Sequence, residues 1–141
     1  MNQTEKFSYS FSRFALFVVY VWFGALKLVN ASPANPLVDA LLQKTLPFIS
    51  FGEFIVLLGI FEVAIGALFI LPKMERAALA LLVPHIFVTL APLFLLTSTT
   101  WTGFLSPTLE GQYIIKNILI VALGIDVYME SKKTRALRRL A

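Results

Sequence analysis

The chain has 141 residues, of which 58% are apolar and only 14% are charged; its net charge is +4 and it contains no cysteine. Soluble domains carry about a quarter charged residues, so a soluble fold of this length could not bury so much apolar surface. The lack of cysteine excludes disulfide scaffolds, thiol redox relays and thiolate metal sites. The composition therefore predicts an integral membrane protein whose outward face is covered by lipid.

Four long apolar stretches predict four transmembrane helices. Each has about 20 residues, which at ~1.5 Å per residue spans a hydrocarbon core of ~30 Å. None alternates with a period of two, which favours helices over strands. The predicted spans are residues 11–29, 52–71, 77–96 and 109–129. We therefore expect an all-α fold, an antiparallel four-helix bundle that forms a single membrane domain over residues 1–141.

The basic residues predict the orientation of this bundle. Lys6 and Arg13 flank the start of the first span, and Lys73 and Arg76 lie in the short loop after the second. The two other loops together contain a single basic residue, Lys44. Because basic residues favour the cytoplasmic side, we expect both termini to be cytoplasmic. The basic residues that end the chain agree with this; they are Lys132, Lys133, Arg135, Arg138 and Arg139.

The first span has an alternative interpretation as a signal peptide. Residues 29–31 (VNA) resemble a signal-peptidase site after an apolar run with basic flanks. Removal of this segment would leave three spans and would break the agreement among the three basic sites. We therefore expect the segment to be retained.

The segments outside the spans carry further predictions. Residues 36–46 suit a short amphipathic helix on the outer interface. In the loop 97–108, Trp101 and Phe104 are expected to anchor at the head-group level. The basic tail 130–141 is expected to contact anionic lipid head groups; no nucleic-acid recognition motif accompanies it, which argues against nucleic acid as a partner.

One polar or ionisable group on each predicted span falls near the middle of the membrane. Counted along the helices, Glu62 lies roughly 15 Å, Lys116 about 12 Å and His85 about 18 Å below the outer surface. Tyr20 on the first span falls in the same layer. Glu62 shares a helix face with small residues that mark close helix packing, so we expect it to point into the bundle.

A charge at the bilayer centre costs about 3 kcal/mol on insertion scales, and pairing offsets this cost. We therefore predict a buried pair of Glu62 and Lys116, with Tyr20 and His85 as neighbours. Such a pair can instead be purely structural, fixing helix register. A lone histidine such as His85 is more often a hydrogen-bonded core residue than a metal ligand, so no metal site is predicted. Lys27 is expected to snorkel to the outer surface.

The predicted mid-membrane layer supplies the candidate site. The primary candidates for ligand binding or proton relay are Tyr20, Glu62, His85 and Lys116, and the secondary candidates are Lys27, Thr89, Gln112, Tyr113 and Asn117. No hydrolase, kinase, P-loop or dinucleotide motif is present, and no histidine pair exists for bis-histidine haem. The sequence therefore predicts no catalytic constellation and no catalytic residue.

Several short motifs resemble those of the DoxX-like superfamily of small four-helix membrane proteins, in particular its DUF417-like branch. They are Gly24–Leu28 (GALKL), Ser32-Pro33, Glu62 with Gly66, and Ser106–Asn117 (SPTLEGQYIIKN). The resemblance implies an antiparallel four-helix bundle, in the bacterial cytoplasmic (inner) membrane. It also implies a link to respiratory or sulfur redox chemistry, because the family includes a small subunit of a thiosulfate:quinone oxidoreductase.

Three functional hypotheses follow from the residues and the resemblance together. The first is a non-catalytic membrane subunit, or a partner that binds quinone or another small ligand, in a redox system. The second is a carrier or ligand-binding protein for a small solute. The third is an assembly or scaffold protein whose basic tail binds lipid or a partner. The partners to be expected are the bilayer, anionic lipids and either a redox protein or a second copy of the chain; the ligand to be expected under the first hypothesis is quinone.

Overall fold

The structure, a computed structural model, describes residues 2–140, with side chains up to residue 136. It is 81% helical and 4% strand, which confirms the predicted all-α class. The elements in chain order are α1 (Gln3–Leu28), α2 (Asn35–Thr45), α3 (Phe51–Ile70), α4 (Glu75–Leu90), α5 (Pro92–Leu95), α6 (Thr97–Thr100), β1 (Trp101–Gly103), β2 (Ser106–Pro107) and α7 (Leu109–Leu140).

The helix ends differ from the predicted ones for local reasons. Helix α1 begins at Gln3 rather than at residue 11, because Asn2 and Glu5 form a capping box that satisfies free backbone N–H groups. The predicted third helix is divided at Ala91, since Pro92 has no N–H to continue the helical hydrogen bonds. Helix α7 does not end at residue 129 but continues through the basic tail to Leu140.

The long helices pack in a closed order: α1 on α3, α3 on α4, α4 on α7 and α7 on α1. Their shared core is apolar and contains Leu16, Ile65, Phe69, Leu82 and Val127, each at most 2% exposed. Close van der Waals packing of these side chains stabilises the contacts between the helices.

Within the described residues, three stretches are long and apolar enough to cross a membrane: Gln3–Leu28, Phe51–Ile70 and Glu75–Leu95. Only 28–33% of each apolar window is buried inside the protein, so most of its residues are at least partly exposed. Phe87 on α4, for example, is 71% exposed. These features support an integral membrane protein, because water would not tolerate so much apolar surface.

One end of the helix assembly, the Glu75 end, is held by a polar network. Glu75 is 2% exposed and accepts a hydrogen bond of 2.8 Å from the Tyr9 hydroxyl. Its carboxylate also lies 3.6 Å from Arg13 Nη1 and 3.4 Å from Arg135 Nη2. Arg13 in addition donates to the Phe69 carbonyl at the end of α3. The network therefore joins α1, α3, α4 and α7, and it satisfies backbone carbonyls that the end of α3 leaves free.

We expect Tyr9→Phe to lower the free energy of unfolding by about 1 kcal/mol. It removes the hydrogen bond to a buried carboxylate that keeps its two arginine partners, and the longer one that Arg13 donates to the hydroxyl. Detergent-induced unfolding followed by circular dichroism measures this change. Tyr113→Phe is the matched control: Tyr113 is 61% exposed, so this substitution should leave the free energy of unfolding unchanged. Equal effects of the two substitutions would contradict the network.

The opposite end, the Trp101 end, is covered by α2, α5 and a short antiparallel hairpin of β1 and β2. Helix α2 corresponds to the amphipathic helix predicted at 36–46, and its Leu42 is 2% exposed. Lys44 Nζ donates to the Leu95 carbonyl at 2.6 Å. Trp101 Nε1 donates to the Leu93 carbonyl at 2.9 Å, while Phe104 at the hairpin tip is 95% exposed.

Candidate functional site

Lys27 and Glu62 form a buried ion pair between α1 and α3. The Lys27 Nζ donates to Glu62 Oε2 at 2.7 Å, and the two side chains are 7% and 9% exposed. His85 on α4 completes the group, with Nε2 at 3.4 Å from Glu62 Oε1 and a side chain 9% exposed. We call Lys27, Glu62 and His85 the central triad. The Glu62 carboxylate on α3 therefore lies next to two basic side chains, one from α1 and one from α4.

Close contact between α1 and α3 makes this pair geometrically feasible. A methyl group on Gly24 would lie 2.7 Å from the Gly59 carbonyl oxygen, and one on Gly59 would lie 2.9 Å from the Gly24 carbonyl oxygen. The two backbones therefore meet where neither residue has a side chain, as small residues allow in membrane helices. Glu62 lies one turn beyond Gly59, and its burial confirms the prediction that it faces the interior.

Helix direction explains why Lys27 is the partner of Glu62. Helical side chains lean toward the N-terminus of their own helix. Helices α1 and α3 are antiparallel, since Gly24 lies against Gly59 while Arg13 lies against the end of α3. Lys27 therefore leans toward the middle of the assembly from its Trp101 end, and Glu62 leans toward Lys27. The prediction that Lys27 snorkels to the surface is wrong.

The predicted pair of Glu62 with Lys116 does not form. Lys116 Nζ lies over the ring of Tyr113, 4.8 Å from its centroid, and Lys116 is exposed on the outer side of α7. Helix α7 begins at the Trp101 end, so the Lys116 side chain leans toward that end and away from the middle of the helices. Of the four primary candidates, the structure thus brings together Tyr20, Glu62 and His85.

The imidazole of His85 lies between two aromatic rings. The Tyr20 ring meets it edge-on with 5.6 Å between centroids, and the Phe61 ring lies 5.9 Å away. The Thr89 hydroxyl donates to the His85 carbonyl at 2.9 Å. His85 directly follows Pro84, which has no N–H group for the hydrogen bonds of α4. Phe61 was missed by sequence analysis, because one phenylalanine among 13 carries no distinguishing signal.

Two polar groups beside the central triad remain available. Tyr20 is 4% exposed, and within the described residues its hydroxyl has no hydrogen-bond partner. His85 directs Nε2 to Glu62, and its second ring nitrogen, Nδ1, likewise has no partner in that part of the chain. A hydroxyl group is both donor and acceptor, and a neutral imidazole has one nitrogen of each kind. These two groups can therefore form hydrogen bonds with a polar ligand group that reaches them.

The other secondary candidates do not reach the central triad. Gln112 and Tyr113 are exposed on α7, and Asn117 is half-buried on the same helix. An apolar groove of about 510 Å³ lies elsewhere, on the outward face of α1 around Trp22, and none of its lining residues belongs to the triad.

No protein-family model, no curated protein and no solved structure matches this chain. The resemblance to the DoxX-like superfamily thus depends on the short motifs, and the geometry of the site carries the functional argument.

Proposed function

We propose that the protein is a DoxX-like membrane protein that binds the head group of a quinone at the central triad, as a non-catalytic subunit or partner of a redox system. The observation that carries the proposal is the Tyr20 hydroxyl beside His85, which has no hydrogen-bond partner within the described residues; His85 in turn lies next to Glu62 of the buried Lys27–Glu62 pair. Buried ionisable groups inside membrane proteins are costly and commonly mark ligand sites or proton paths.

The chemistry of the residues fits a quinone. A quinone carbonyl oxygen can accept a hydrogen bond from the Tyr20 hydroxyl, and the hydroxyl of the reduced form can also donate to a neutral His85 Nδ1. Flat aromatic side chains next to His85, those of Tyr20 and Phe61, suit the flat ring of such a ligand. Glu62, itself paired with Lys27, places a carboxylate next to His85 Nε2 and so orients the imidazole.

The proposed setting is a four-helix bundle in the bacterial cytoplasmic membrane, with α7 contributing the fourth span over about residues 109–129. Lys6, Lys73, Arg76 and Lys133 belong to the segments that form the Glu75 end, which favours that end as the cytoplasmic one. Both termini are then cytoplasmic. The continuation of α7 after residue 129 then lies at the anionic inner surface, although the side chains of Arg138 and Arg139 lie outside the described residues.

The test is titration of the protein in mild detergent with a short-chain quinone by calorimetry, together with mass spectrometry of lipids that copurify. We expect Tyr20→Phe to weaken binding about tenfold, the loss that corresponds to one hydrogen bond of about 1.4 kcal/mol. Tyr113→Phe is the matched control and should bind as the original protein does, because Tyr113 lies on α7 outside the triad.

Three results would overturn the proposal. One is that no quinone copurifies and none binds on titration. Another is equal affinity of the Tyr20→Phe and Tyr113→Phe variants. The third is solute flux into liposomes that depends on Glu62 and is unaffected by quinone, which would favour a carrier instead.

A further inference from the structure

A strip of polar side chains on α7 faces away from the other helices. Tyr113 is 61% exposed, and Gln112 and Lys116 are exposed as well, whereas Ile114 on the inner side of the same turn is 5% exposed. Apolar residues continue the outward face, with Leu109 64% and Leu119 69% exposed. The strip therefore sits within a surface that is otherwise suited to lipid.

Lys116 stands out by its place, because it is an exposed lysine on the apolar outward face of α7, between Leu109 and Leu119. Lys27 is paired with Glu62, and Lys133 with Glu5 and Glu130. Within the described residues Lys116 has no carboxylate within ion-pair distance, and its ammonium group rests on the Tyr113 ring instead. The attraction between a cation and a ring face contributes only about 0.5–2 kcal/mol. An anion from outside the chain would therefore stabilise the Lys116 ammonium group further.

The position of Lys116 along α7 indicates where that anion lies. Its Cα is about 10 Å from the start of the helix at ~1.5 Å per residue, and its side chain leans back toward that start. A lysine stem can carry the ammonium group further along the apolar surface to the head-group level. Tyrosine is likewise enriched at that level.

We propose that Gln112, Tyr113 and Lys116 form a binding site for an anionic phospholipid in the leaflet at the Trp101 end. The lipid phosphate accepts hydrogen bonds from the Lys116 ammonium group and the Gln112 amide, and the acyl chains lie along the apolar side chains that follow. The charge of Lys116, which no carboxylate of the described residues neutralises, is what favours an anionic lipid over a zwitterionic one. The site requires that α7 crosses the bilayer, as in the proposed function, but it does not require quinone binding.

The lack of cysteine in the chain permits a test at one chosen position. Leu119→Cys carries a fluorophore on the same face as Lys116, and Ile60→Cys, at a residue 53% exposed on α3, is the matched control. The proteins are reconstituted in quinone-free bilayers that contain a brominated lipid with either a phosphatidylglycerol or a phosphatidylcholine head group. The two lipids have the same brominated acyl chains, so a difference in quenching reports the head group alone.

We expect phosphatidylglycerol to be preferred about fivefold over phosphatidylcholine near residue 119, the factor for one lysine at an anionic surface. No preference is expected near residue 60, and Lys116→Gln should abolish the preference at residue 119. Added inorganic phosphate should leave it unchanged, because the site is for a lipid.

Equal quenching by the two lipids at residue 119 would overturn this inference while leaving quinone binding untouched. A preference that survives Lys116→Gln, or one that inorganic phosphate removes, would overturn it as well. Failure of both lipids to quench at residue 119 would show that α7 does not face lipid, and would overturn the lipid site and the four-span proposal together. Circular dichroism of each variant shows that it is folded.

Discussion

Glu62→Leu is expected to lower the free energy of unfolding by about 3 kcal/mol, the largest effect of a single substitution at the central triad. Loss of the carboxylate leaves the buried Lys27 ammonium group without a partner, and breaking a buried pair in this way costs about 3–5 kcal/mol. The lower end applies because Lys27 lies in the last turn of α1 and can partly turn toward the surface. Detergent-induced unfolding measures the change.

Lys27→Met, added to Glu62→Leu, should restore much of that loss, because the double substitution removes both charges and leaves apolar side chains of similar size. Lys116→Met is the matched control, since Lys116 lies over Tyr113. Its effect should simply add to that of Glu62→Leu. Restoration by Lys116→Met instead of Lys27→Met would contradict the structure and would favour the pair predicted from the sequence.

Gly24→Ala is expected to lower the free energy of unfolding by about 1–3 kcal/mol, because the new methyl group would lie within 3 Å of the Gly59 oxygen and of Val63. Alanine would otherwise favour an exposed helix by about 1 kcal/mol, so a net loss means that the clash outweighs the gain in helix propensity. The same unfolding assay measures the effect.

Gly52→Ala is the matched control for this glycine contact, because nothing lies within 4 Å of the position of its new methyl group. It should leave the stability unchanged or raise it. If Gly24→Ala were as stable as Gly52→Ala, α1 and α3 could not be in backbone contact, and Lys27 would not be held next to Glu62.

The helix content was predictable because continuous apolar stretches of about 20 residues carry a strong signal. The inward face of Glu62 was predictable as well, since Gly59 and Gly66 recur with it at helical spacing. Helix ends were less predictable: the start of α1 depends on a capping box outside the apolar run, and α7 continues with charged residues that give no apolar signal.

The partner of Glu62 could not be predicted from depth alone. Residue counting places Cα atoms, and by that measure Lys116 lies nearer the middle of its predicted span than Lys27 does. A lysine side chain, however, is long enough to reverse this order, and its lean depends on the direction of its helix. Helix α1 ends at the Trp101 end, so Lys27 leans toward the middle of the helices. Helix α7 begins at that end, so Lys116 leans away from the middle.

Solid-state NMR of the protein in bilayers, with isotope labels on lysine ammonium nitrogens and glutamate carboxyl carbons, tests the Lys27–Glu62 pair most directly. A strong dipolar coupling is predicted between a lysine and Glu62, assigned by its loss in Glu62→Gln. It should disappear in Lys27→Met and persist in Lys116→Met. Loss of the coupling in Lys116→Met, with its persistence in Lys27→Met, would contradict the central triad.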